Sequence, residues 1–124
     1  DCHINSKKAN LIANHLVNDW YNSFLIAKSI NSKFYAILQP TYYSSDGSND
    51  YLEENKLIKK QFETLNSLIL KNVNKKCLED NSFCSSFIDG TKWISRNKNV
   101  FIDDCHLNNE GNRVVVESFL DEIN

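Results

Sequence analysis

"FIDDCHLNNEGNRVVVESFLDEI", Phe101 to Ile123, decides how the rest of the chain is read. A short apolar approach ends on Asp103, and His106 follows three positions later. Asparagines, Glu110 and Gly111 come next, and then Val115, Phe119 and Ile123 recur every four residues. The first part has the pattern of a buried strand and the last part that of an amphipathic helix over 109–123. Between them lies a loop holding a carboxylate, a thiol and an imidazole.

Working outward, the same alternation continues upstream. Ile12, Leu16, Trp20 and Phe24 recur every four residues, with Ala13, Val17 and Tyr21 beside them. This predicts a helix over 6–30, capped by Asn5 or Ser6. "KFYAILQ" is a continuous apolar run that stops at Pro40, as a strand buried on both faces does. "PTYYSSDGSND", Pro40 to Asp50, is rich in turn residues. A second helix is expected from Tyr51 to about Val73, with Ile58, Phe62, Leu65 and Ile69 on one stripe. Asp50 and Glu53 have the spacing of a capping box. "FCSSFID" and "NVFID" are two further strand candidates. Alternation of this kind argues for one α/β domain over residues 1–124, a parallel sheet covered by helices on both faces. In such sheets chemistry gathers at the carboxyl ends of strands, where Asp103 and His106 would stand.

Bulk composition narrows the function classes. The chain has 124 residues, is 41% hydrophobic and carries a formal net charge of −2, which suits a globular core. It has no basic stripe, so a nucleic-acid partner is not expected. No run approaches the roughly eighteen apolar residues of a membrane span, and no signal peptide is visible. The sequence opens on Asp1 and contains no Met, which reads as a mature form or a fragment. The compartment stays open.

Asp103 and His106 carry the clearest chemistry. A carboxylate accepting from Nδ1–H fixes an imidazole's tautomer and leaves Nε2 free to take a proton. His3 sits at the terminus and His15 on a solvated helical position. Cys105 beside His106 suggests a Cys–His nucleophile, yet neighbours on an extended segment point to opposite sides. Tyr42, Tyr43, Trp20 and Trp93 could line a pocket, although packing is the plainer use for them. The four cysteines, Cys2, Cys77, Cys84 and Cys105, allow three pairings. "CLEDNSFC" could close a loop between Cys77 and Cys84, and reduced thiols are equally compatible. A zinc set of Cys77, Cys84, Cys105 and a His lacks the tight two-residue spacing, so no metal and no cofactor are expected.

The closing block also resembles that of SGNH hydrolases, the GDSL-type esterases and lipases. The family has an Asp, two residues, the catalytic His, then a Gly and a terminal amphipathic helix, matched here by Asp103, His106 and Gly111. "KFYAILQPTYY", with its "LQP", and "FIDGTKWISRNKNVFID" resemble strands of a bacterial branch of that family. The resemblance implies a three-layer α/β/α parallel sheet, flavodoxin-like, incomplete because its first strands are missing. It implies hydrolysis of small acyl esters, such as acetyl groups on carbohydrate, by a Ser–His–Asp triad with His106 as base and Asp103 as its orienter. No Gly-Asp-Ser nucleophile block is present, and Ser6, Ser23, Ser29, Ser44 and Ser45 sit in no strand-to-helix elbow. Asp1 would then end the family's Gly-x-Asn-Asp block. The expected partners are the acyl ester and either the N-terminal remainder of the same domain or a second copy. Alone, the chain is expected to have little esterase activity and to associate through an exposed sheet edge. The first alternative is a non-catalytic α/β domain used in binding or assembly, and the second is a metal-binding module using cysteines and His106.

Overall fold

Asn5 opens the first element because its side chain accepts from the Lys8 N–H at 2.9 Å. A computed structural model describes residues 2–46, 52, 54–95 and 98–124. The elements are α1 (Ser6–Ser29), β1 (Ala36–Leu38), α2 (Lys56–Glu79), α3 (Asn81–Cys84), β2 (Phe87–Asp89) and α4 (Asn109–Ile123). The chain divides into two compact units, residues 1–36 with 56–88 and residues 37–55 with 89–124.

In the first unit α1 packs on α2. The buried stripe of α1 is Ala9, Ala13, Val17 and Phe24. It lies to one side of the expected one, since Ile12 is 39% exposed. Small alanines let a neighbouring helix approach closely, so they face inward while the larger Ile12 faces water. From α2 the buried residues are Ile69 and Val73. The stripe expected on α2 therefore ends in the core through Ile69, while Ile58, Phe62 and Leu65 are half-buried. This helix begins at Lys56 and runs to Glu79; the capping-box residues Asp50 and Glu53, and Tyr51, lie outside the described residues.

The second half of "CLEDNSFC" turns into α3. Asp80 is its cap, with Oδ1 accepting from the Ser82 N–H at 3.0 Å and from the Ser82 hydroxyl at 2.6 Å. Phe83 is fully buried, edge-on to Tyr21 and Phe24 with ring centroids 5.4 and 5.6 Å apart. Cys77 and Cys84 form a disulfide across this turn, one of the two states the sequence left open. That bond removes both residues from any zinc set. A bridge over a sequence separation of 7 stabilises by about 2 kcal/mol through loop-closure entropy. A Cys77→Ser, Cys84→Ser pair should lose roughly that amount in urea unfolding. An unchanged midpoint would mean that the bond does not form.

The sheet is where expectation and structure part. Among the described residues the chain is mostly helical, with two parallel strands of three residues each. It is not the three-layer α/β/α parallel sheet, and no row of strands places a site at its carboxyl ends. Each expected strand is shortened by a local competitor. Pro40, which has no N–H, follows β1 closely. Asp80 caps a helical turn inside the stretch that includes "FCSSFID", leaving three residues for β2. At "NVFID" the backbone turns back on itself. Asn99 takes φ 47°, and Phe101 bridges antiparallel to Leu107. Hydrogen bonds that a third parallel strand would have offered a neighbour are spent within the loop. The Ile102 N–H donates to the His106 carbonyl at 2.8 Å and the Asn108 N–H to the Val100 carbonyl at 2.9 Å. The α/β element that does survive is one β–α–β connection, β1 to β2 by way of α2 and α3.

Candidate active site

The loop from Phe101 to Asn108 belongs to the second unit. Its floor is apolar: Val100 and Phe101 are buried. Phe101 stands edge-on to Tyr42, centroids 5.9 Å apart, and Tyr42 edge-on to Tyr43 at 5.5 Å. The tyrosine pair is thus packing, the plainer of the two uses expected for it. The Tyr42 backbone and the Tyr43 hydroxyl also hold the loop. The Tyr42 N–H donates to the Asp104 carbonyl at 2.9 Å. Tyr43 bonds the Asp104 carboxylate, and burial first, then that bond, pushes its phenol up to about 12.

The exit of the loop is fixed just as closely. Asn108 caps α4, its Oδ1 accepting from the Gly111 N–H at 2.9 Å. A Cβ at Gly111 would meet Leu107 Cβ at 3.0 Å and Val100 Cβ at 3.1 Å. The Gly of the motif is therefore a close-approach position.

Within this frame Asp103 and His106 are brought together. Oδ1 of Asp103 accepts from the Cys105 N–H at 3.0 Å and the His106 N–H at 2.9 Å, closing a tight turn. Oδ2 of Asp103 lies 2.7 Å from Nδ1 of His106. With its proton on Nδ1 the imidazole donates to the carboxylate and turns Nε2 outward. The two backbone donors and the imidazole hold the Asp103 carboxyl down at about 2; the Cys105 N–H is the largest cause, followed by the His106 ring.

Both side chains face water, His106 at 72% and Asp103 at 54% exposure. Solvent screens their attraction, so the pair is held by the turn rather than by a buried charge. Because the folded value for Asp103 lies below the unfolded one, the unfolded chain binds more protons between about pH 4 and pH 2. The contribution of Asp103 to order is complete above about pH 4 and is lost as pH falls through about 2. A carboxyl-shift titration by NMR checks this; Asp103 titrating near 4 would show that the turn is open.

Cys105 departs from the extended geometry expected of it. The turn is tight enough to bring its Sγ to 3.8 Å from Nδ1 of His106. Its half-buried thiol is pushed up by burial and then by Asp103, away from the thiolate that nucleophilic attack needs. No sequence signal announced this approach, because adjacent residues converge only when the backbone curls. Among the described residues, none of the remaining candidates bonds Asp103 or His106. His15 is exposed on α1, and His3 lies in the first unit with its Nδ1 buried and unbonded. Ser44 and Ser45 use their hydroxyls in the turn after Pro40, on Thr41 and, for Ser44, also on the Thr91 carbonyl. Among the described residues no serine hydroxyl bonds Nε2 of His106. Asp1 lies outside the described residues. No helix among the described residues is long and apolar enough to cross a membrane. Comparison with protein-family models, with curated proteins and with solved structures finds no match to this chain.

Proposed function

We propose that this chain supplies the base and the orienting carboxylate of a Ser–His–Asp ester-hydrolase site of the SGNH type. The observation that carries the reading is the 2.7 Å contact between Asp103 Oδ2 and His106 Nδ1, made while Oδ1 is tied to two backbone donors. That arrangement fixes the ring and leaves Nε2 to accept the proton of a serine hydroxyl attacking an acyl carbonyl. His106 then returns the proton to the leaving alcohol, and Asp103 stabilises the intervening imidazolium. The substrates are small acyl esters, with acetylated carbohydrate the class implied by the family resemblance. The serine and the oxyanion donors come from a segment outside these 124 residues.

The partner is that remainder of the domain, or a second copy. Support comes from α4, where Gly111 is the one buried residue while Val116 and Leu120 are 56% and 45% exposed. An amphipathic helix left so bare invites a cover. The same bare face, with no serine at Nε2, favours the second reading, a non-catalytic binding or assembly domain.

A fluorophosphonate probe applied to the protein isolated from its source separates the two. The hydrolase reading expects one labelled serine outside residues 1–124, its labelling lost in His106→Ala. Absence of a labelled serine would leave the assembly reading.

A further inference from the structure

Besides the proton between Asp103 and His106, the loop presents a third donor at the same point. Asp103 O, Cys105 Sγ and a His106 ring nitrogen all lie within 4.8 Å of one another. Around a tetrahedral zinc, bonds of about 2.0–2.3 Å put ligand atoms roughly 3.3–3.8 Å apart. Sγ and Nδ1 are already 3.8 Å apart, and Oδ2 and Nδ1, hydrogen-bonded at 2.7 Å, part by about half an ångström to admit the ion. Oδ1 of Asp103 is committed to the turn, so Oδ2 remains as the ligand oxygen without unfolding the loop.

We infer that Asp103 Oδ2, Cys105 Sγ and His106 Nδ1 form a three-donor site for a borderline-soft divalent cation of the zinc type. The donor set selects the ion: a thiolate with an imidazole favours zinc over the hard cations magnesium and calcium, which prefer oxygen. Exposure of His106 and Asp103 leaves the fourth position to water. On binding, the cation takes the place of the Nδ1 proton, and the thiol proton also leaves to solvent. The ring stays neutral because the proton displaced from Nδ1 is replaced, through solvent, by one on Nε2, so the thiol proton is the net proton released. Metal and general base are therefore mutually exclusive states of one histidine, and zinc switches the pair off. This last consequence rests on the role proposed for His106; the binding itself does not.

Cobalt tests the site without any turnover. Co²⁺ added to the purified protein should produce a thiolate-to-cobalt charge-transfer band in the near ultraviolet, abolished by added Zn²⁺. Cys105→Ser should remove the band and weaken Zn²⁺ by more than about tenfold, since losing even an outer partner of a ligand costs that much. Cys2→Ser, at the buried free thiol, should leave the band unchanged. Circular dichroism confirms that each variant is folded. Absence of a band in the folded parent, or its loss in Cys2→Ser alone, overturns the site, whatever the phosphonate probe shows. A band with no effect on phosphonate labelling keeps the metal site and counts against His106 as the base.

Discussion

Replacing His106 with alanine should lower ester turnover by on the order of 10⁴-fold or more in the protein that carries the nucleophile. That is about 5.5 kcal/mol of transition-state stabilisation. The fold should not change, because the ring is 72% exposed and the turn is built from backbone and Asp103. Asp103→Asn should cost a similar ~10⁴-fold by a different route. An asparagine Oδ1 still accepts the two backbone N–H groups, so the turn survives. Its Nδ2 donates where Oδ2 accepted at 2.7 Å, leaving Nδ1–H only the longer 3.0 Å approach to Oδ1, so the ring is pushed toward the tautomer with the proton on Nε2. Nitrogen-15 NMR reads the tautomer directly: Nδ1–H in the parent, Nε2–H in the variant. Turnover that persists in either variant would show that the pair only shapes the loop.

Phe83→Ala should destabilise the first unit by about 3–5 kcal/mol. The ring is fully buried and sits edge-on to both Tyr21 and Phe24, so truncation opens a cavity and breaks two aromatic contacts. Against a total stability of about 5–15 kcal/mol, this brings the unit close to unfolding. Urea titration followed by fluorescence should see it, since Trp20 packs 5.9 Å from Phe87 in the same unit. Phe83→Leu, which nearly conserves volume, should cost under about 1.5 kcal/mol. Equal midpoints for parent and alanine variant would remove Phe83 from the core.

Helical periodicity was legible in α1 and α4, whose bounds are close to those expected, because long amphipathic patterns have no rival reading. The strands were not. "KFYAILQ" and "NVFID" have strand composition, yet Pro40 and the positive φ at Asn99 limit what they can pair with. Three-residue strands carry too little pattern for periodicity to resolve. The Asp103–His106 contact was legible from spacing and residue type. The convergence of Cys105 was not, since it depends on how tightly the turn curls. On α1 the buried Phe24 lay in the expected stripe and Ala13 and Val17 beside it, while Ala9 was missed and Ile12, favoured by its size, faces water.

The two oxygens of Asp103 do different work, and this bears on how the loop would drift over evolutionary time. Oδ1 shapes the backbone and also lies 3.0 Å from the imidazole Nδ1, while Oδ2 serves the imidazole alone, at 2.7 Å. In a descendant relieved of catalysis, selection for a folded loop would still retain an aspartate or asparagine there. Nothing in the turn would retain the imidazole. Among descendants of this chain, position 106 rather than position 103 would therefore separate working enzymes from relics.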